Sequence, residues 1–522
     1  MGIAVATSAS CYPDGGGGTD PPPDTLYFPT GLAVSSGGNA LYVVNSDFDL
    51  QWNGGTLQSY DLFAIRGDAA ALIQTNLSGK AQSTLTLKLP YVNPVQTTPC
   101  AIGLPTTLSD AGAPTLSNSS DGSRIQLGQS CAPPMDTAIY RHDSAVIGAF
   151  ATDLQLQTTE KLTPSRNFDS VVGTRLFAPV RGDATLTWAD VSADDPTLVP
   201  DGDVMVSKTA GDPLAVGRSG VKTLDKSFFS LKCDQQTNDN QCDAKHRTGN
   251  VVDPGDTRNL LMPGEPFGMA QTPDGKAIAI THQTETDTSL LTAGVPGGAD
   301  PSMQFIVDNV ANGGKYIVAV PHDVDAPLPP CELFPPATSP LPPCVGPAFV
   351  QTNASSAELD LLRYFPDDNS NVKRPYLSRE AIYPFNTNVS GVDSRGIVID
   401  PTQRMACKVL GGPSQFASCA RTPSRIFFAN RDPATLVFAS IGGNSPSVPG
   451  GYDEDLITFG ANMTMLAGPS RVYLAPIVNL EGNYELRVFV VNFDSSTIQI
   501  FNPKNGANIA FIDLINVGPG PF

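Results

Sequence analysis

The chain has 522 residues, with 32 Lys and Arg against 51 Asp and Glu, for a net charge of −19. That excess of carboxylates speaks against nucleic acid or an anionic membrane surface as a partner, because phosphate contacts need clustered Lys and Arg. No run of about 18 apolar residues is present to span a membrane as a helix, and 40% hydrophobic residues suffice for a core.

The chain begins with a small, apolar stretch, Ile3-Ala4-Val5-Ala6-Thr7-Ser8-Ala9-Ser10, which leads into Cys11. A Gly-rich and then Pro-rich tether follows, flexible and then stiff, through Gly15-Gly16-Gly17-Gly18 and Pro21-Pro22-Pro23. This order resembles the end of a bacterial lipoprotein signal. The resemblance implies a lipidated Cys11, with residues 1–25 as signal remnant and tether. A secreted chain with one unpaired thiol is the alternative.

Beyond the tether, one pattern recurs six times: a short strand, then an apolar run ending in a polar residue, a turn, and a further strand. The apolar runs are Leu41–Asn45, Leu176–Arg181, Ala277–His282, Phe349–Asn353, Ile426–Asn430 and Val488–Asn492. Each is preceded by a strand starting near Thr30, Thr152, Phe267, Tyr316, Arg395 or Ser470, and followed by one opening near Thr56, Ala184, Ser289, Ala357, Thr435 or Thr497. A fourth strand is clearest at Ala507–Ile512, and the one convincing helix spans Ala64–Gln74.

The 48 glycines and 47 prolines punctuate these units. Eight of the nine cysteines fall into sequence neighbours: Cys100 with Cys131, Cys233 with Cys242, Cys331 with Cys344, and Cys407 with Cys419. Each pair brackets a polar or Pro-rich segment, as a disulfide staple would, which points to an oxidising compartment.

A unit of four short strands cannot bury both of its faces alone, so the expected fold is all-β: a single β-propeller of six four-stranded blades. A seventh blade concealed in 192–262 is the alternative. Tyr42-Val43-Val44-Asn45 and Phe489-Val490-Val491-Asn492 resemble the YVTN-type propeller repeats of bacterial secreted and envelope proteins. The resemblance covers residues 26–515, with insertions at 63–143, 192–262 and 322–347 and a tail at 516–522.

In a propeller, the starts of the first strands and the ends of the second share one face. The repeat register therefore nominates an inner ring of Thr30, Asp153, Glu265, Lys315, Arg395 and Arg471, and an outer ring of Asn45, Arg181, His282, Asn353, Asn430 and Asn492. From these rings, Asp153, Arg181, Glu265, His282, Lys315, Asn353, Arg395 and Arg471 form the expected ligand face. The Asn-x-Asp pairs read as turn caps.

No nucleophile elbow is present, and no Ser or Cys is expected beside any histidine. The expected role is a secreted or lipid-anchored envelope module, outside the cytoplasm, that binds a protein or glycan without a cofactor and meets the membrane only through its anchor. The alternative, implied by similar propeller lactonases, is a divalent-metal hydrolase. In that reading Asp153, Glu265 and Asn353 hold an ion such as calcium, and His282 or Asp393 serves as general base.

Overall fold

A computed structural model of the chain describes residues 19–66, 140–157, 172–194, 198–201, 204–207, 229–235, 240–256, 258–310, 313–321, 347–366, 374–385, 392–411, 422–444, 452–478, 484–495, 497–503 and 508–513. They form six four-stranded antiparallel sheets, the blades of a six-bladed propeller. Blade 1 holds Pro29–Val34, Ala40–Asn45, Gly55–Asp61 and Arg141–Ile147. Blade 2 holds Gln155–Leu156, Val172–Val180, Thr185–Ser192 and Arg247–Thr248. Blade 3 runs from Pro266–Gln271 through Ala277–His282 and Thr288–Thr292 to Ser302–Val307. Gly314–Ala319, Ala348–Asn353, Glu358–Phe365 and Tyr376–Pro384 make blade 4. Blade 5 is Val392–Asp400, Ser424–Asp432, Thr435–Asn444 and Tyr452–Thr464; blade 6 is Pro469–Val478, Tyr484–Asn492, Thr497–Phe501 and Asn508–Asp513.

The second strands are apolar at successive positions because both faces of each sheet are covered. Successive side chains of a strand point to opposite faces. In blade 3, Ile278 and Ile280 pack with Phe177, Leu186 and Trp188 of blade 2, whereas Ala277 and Ala279 pack with Ile317 and Phe349 of blade 4. The same division joins blade 1 to 2, blade 4 to 5 and blade 5 to 6. Each fully buried Leu, Ile or Phe contributes about 1.5–3 kcal/mol.

The span 192–262 holds no seventh blade among the described residues. It contains a separate two-stranded ribbon, Leu198–Asp201 with Val204–Ser207, and supplies the fourth strand of blade 2. Cys233 and Cys242 form the expected disulfide, with Cα atoms 5.1 Å apart. Cys407 is disulfide-bonded as well; Cys11, Cys100, Cys131, Cys331, Cys344 and Cys419 lie outside the described residues.

Residues 62–66 are helical, and the remainder of the helix expected to end at Gln74 lies outside the described residues. The expectation of a single helix is corrected by a second one, Thr402–Gly411, between the first two strands of blade 5. Its start is a capped one: the Asp400 carboxylate accepts from the Thr402 amide at 2.9 Å, with Pro401 between them.

Candidate functional site

The first strands line the channel. In blades 1, 3, 4, 5 and 6 the pairing of the first strand with the second shifts register near its start, between Pro29 and Gly31, Pro266 and Met269, Gly314 and Ile317, Ser394 and Ile397, and Pro469 and Arg471. Such a bulge frees a residue from the ladder and re-aims its side chain. Thr30, Phe267, Lys315, Tyr316 and Arg395 all fall within these shifts.

Adjacent glycines let neighbouring backbones close up. A Cβ on Gly268 would lie 2.3 Å from the Lys315 carbonyl oxygen, and one on Gly396 would lie 2.6 Å from the Val472 amide nitrogen. These contacts carry the ring from blade 3 to 4 and from blade 5 to 6.

Arg471 of blade 6 reaches across the channel. Its guanidinium pairs with Asp153 at 3.2 Å, donates to the carbonyls of Thr30 at 3.2 Å and Thr152 at 2.9 Å, and lies 4.2 Å from the centre of the Tyr316 ring. One side chain thus ties blades 1, 2, 4 and 6 together. Burial raises the Asp153 carboxyl above its ordinary value, and Arg471 opposes that rise.

Two further ion pairs stand at the mouth. Arg181 meets Glu265 at 2.9 Å, and Arg395 meets Asp393 at 2.6 Å. Glu265 and Asp393 both hold left-handed backbone, at φ 51° and 66°, a conformation that costs an ordinary side chain about 1–3 kcal/mol and concentrates at functional sites.

Lys315 is different. It is 4% exposed, and its Nζ sits 5.3 Å from the centre of the Phe267 ring. Among the described residues it has no carboxylate at ion-pair distance. Burial first, and then the neighbouring Arg395, lower its amine to about 8 from 10.5. Three Arg at the mouth are matched by three carboxylates, and Lys315 stands outside these pairs.

The outer ring is largely a zipper inside the blades. Asn45 donates to Thr56 Oγ1 and Gln58 Oε1, both at 2.9 Å, and Asn492 makes the same two bonds to Thr497 and Gln499 at 3.1 Å. Asn353 donates to Asp360 at 2.7 Å. His282 takes the equivalent place in blade 3: its Nδ1–H donates to the Gly264 carbonyl at 2.9 Å, and its Nε2 accepts from the Ser289 hydroxyl at 2.8 Å.

The zipper revises several expectations. The Asn residues bridge strands, whereas Asp47 and Asp183 do cap turns, accepting from the Trp52 amide and the Thr185 hydroxyl. A serine does stand beside a histidine, because the third strand returns opposite the second. Ser289 and His282 are nevertheless both fully buried, so the pair offers a substrate neither nucleophile nor base. Burial holds His282 at about 4, against 6.5 when free, so its neutral form prevails.

The three residues expected to hold an ion are each committed elsewhere: Asp153 to Arg471, Glu265 to Arg181, and Asn353 to Asp360. Among the described residues the group of Asp, Glu, His or Cys close enough to share a cation is Asp234, Asp243 and His246, away from the mouth. There Asp243 already caps a short helical turn and accepts from His246 Nδ1 at 2.7 Å.

Phe267 and Tyr316, which the repeat register left out of the rings, line the mouth with their rings 5.4 Å apart. Gly268 and Lys315 on either side of them were the available signal, since a glycine in a strand marks a bulge or a close backbone approach.

No protein-family model matches the chain, and no curated protein matches it. Among solved structures, the chain is similar to a 6-phosphogluconolactonase candidate from Bacteroides uniformis, at 10% identity over 94% of this chain and 87% of that one, with a TM-score of 0.42. A periplasmic gluconolactonase from Pseudomonas aeruginosa aligns at 10% identity over 93% and 85%, with a TM-score of 0.40. A β-propeller domain from Myceliophteria thermophila aligns at 8% identity over 94% and 88%, with a TM-score of 0.36.

Proposed function

We propose that this chain is a binding propeller of the cell envelope, lipid-tethered or secreted, that takes a carboxylate of a protein or glycan partner at its channel mouth. Lys315 carries the reading: a lysine 4% exposed, with no carboxylate at ion-pair distance among the described residues and with Arg395 and Arg181 near enough to disfavour its charge. An unpaired buried cation is costly, and an incoming carboxylate offsets that cost while being held by charge-assisted hydrogen bonds. The lactone-hydrolase reading finds less support, because its ion ligands are paired with other residues and His282 is sealed in blade 3.

The test is thermal melting of the full chain with sodium glucuronate or glucose at constant ionic strength, together with a short peptide bearing a free or an amidated C-terminus. A ligand at ten times its dissociation constant stabilises by about 1.4 kcal/mol. Glucuronate or the free-acid peptide should raise the melting temperature, glucose and the amide should not, and Lys315→Met should abolish the rise. Equal shifts with glucose, or with Lys315→Met, would refute the reading.

A further inference from the structure

Blade 1 carries an apolar rim outside the channel mouth. Phe28 is 49% exposed, Phe48 63% and Leu50 57%. Phe493, just past the second strand of neighbouring blade 6 and so on the same face, is 74% exposed. Phe48 stands between Phe28 and Phe150, whose ring centres are 6.5 and 6.0 Å away. Two backbone hydrogen bonds pin the three segments together. The Ser46 amide donates to the Phe28 carbonyl at 3.0 Å, and the Phe150 amide donates to the Ser46 carbonyl at 2.6 Å. Phe28, Leu50 and Phe150 all hold left-handed backbone, at φ 43°, 56° and 60°, which is rare for bulky residues.

The amino-terminal tether arrives at the same place. The Thr19 carbonyl accepts from the Asn53 amide at 3.0 Å, in the loop that carries Phe48 and Leu50. The Pro23 carbonyl accepts from Gln58 Nε2 at 2.9 Å, on the third strand of blade 1. Cys11 precedes Thr19 by eight residues, a span of at most about 28 Å. A lipid on Cys11 therefore keeps the rim within that distance of the bilayer.

We propose that the rim of Phe28, Phe48, Leu50 and Phe493 rests on a zwitterionic lipid surface, seating the propeller on the membrane to which it is tethered. This rests on the lipid-tethered reading and adds a second contact to it. Apolar side chains held in water gain by entering the interface, in proportion to the area they bury there. The four side chains carry no polar atom, so a glycan finds no hydrogen-bond partner among them. Asp47 and Asp49 flank Phe48 on a chain of net charge −19, which disfavours an anionic bilayer. Blade 4, which carries Lys315, lies opposite blade 1 in a ring of six, so the seated rim leaves that side of the mouth open to a partner.

The experiment titrates the full chain bearing Cys11→Ser, which cannot be lipidated, with phosphatidylcholine vesicles. Trp52 reports on the rim, since its amide donates to Asp47 at 3.2 Å; the other tryptophan, Trp188, is buried. Trp52 fluorescence should shift to the blue and be quenched by lipids brominated on their acyl chains, and Trp52→Phe should remove both changes. Phe48→Ser should weaken vesicle affinity at least about tenfold with the melting temperature unchanged, and Phe493→Ser should weaken it independently. Leu410→Ser removes an 87% exposed side chain from the helix that follows the first strand of blade 5, at the opposite end of the propeller, and should leave affinity unchanged. Phosphatidylglycerol vesicles at low salt should bind less tightly.

Unchanged affinity in both Phe variants, or tighter binding to the anionic vesicles, overturns the seating. A blue shift that grows with protein concentration without vesicles puts a second copy on the rim and overturns it too. Mass spectrometry of the native chain tests the tether separately. A lipid on Cys11 with no vesicle binding by the Cys11→Ser chain leaves the tether standing and removes the rim contact; vesicle binding with no lipid on Cys11 does the reverse.

Discussion

His282 provides a pH-dependent measure of the packing inside blade 3. Its imidazole titrates at about 4, whereas in the unfolded chain it titrates near 6.5. Burial excludes the charged form, and Nε2 must remain an acceptor to hold the Ser289 hydroxyl. Because the folded value lies below the unfolded one, the contribution is fully present above about pH 6.5 and is lost as pH falls towards 4. A separation of some 2.5 units corresponds to about 3 kcal/mol.

The perturbation is His282→Asn, which installs the residue that four other blades carry at this place: Asn45, Asn353, Asn430 and Asn492. Asn can donate to Ser289 and does not titrate. Urea unfolding of both chains from pH 7.5 to pH 4 measures the difference between them, so carboxylates common to the two cancel. The wild type should lose about 3 kcal/mol more than the variant across that window. Parallel curves would show that His282 titrates normally and is not sealed as described.

Two further predictions concern the channel. Arg471→Met leaves Asp153 buried without its counter-charge and two carbonyls without their donor, and should destabilise by about 3–5 kcal/mol. Adding Asp153→Asn should recover part of that loss, and a cost under about 1 kcal/mol in urea would refute the role of Arg471 as the cross-channel tie. Gly396→Ala drives a methyl into the Arg471–Val472 backbone and should cost about 1–3 kcal/mol. The same change at the exposed Gly264, whose added Cβ meets nothing nearer than 3.7 Å, should cost well under that by the same urea assay.

Apolar runs bounded by turn residues located the second strands of all six blades, and with them the blade count, because a sheet covered on both faces must be apolar at successive positions. Ala277–His282 and Ala348–Asn353 are recognisable for this reason. The Asp400-Pro401 start of the second helix was equally present in the chain, with apolar residues at helical spacing behind it, but a stretch of ten residues gave little to set against a loop.

The repeat register also placed Asp153, Glu265, Lys315, Arg395 and Arg471 at one end of the channel, since position within a repeat fixes position along the axis. It could not assign partners. Asp153 and Arg471 are 318 residues apart, and nothing local specifies that a guanidinium from blade 6 should cross to blade 2. Nor does local pattern separate His282 from Arg181, which occupy the same repeat position: one turns inward to Ser289 and is sealed, the other reaches Glu265 at the mouth. Periodicity along the chain dictated the strands, their number and the end at which charges gather, because these follow from alternating burial. Closure of the ring decided which charges cancel and left Lys315 without a counter-ion among the described residues, because pairing depends on distances that exist only once six blades meet around one axis.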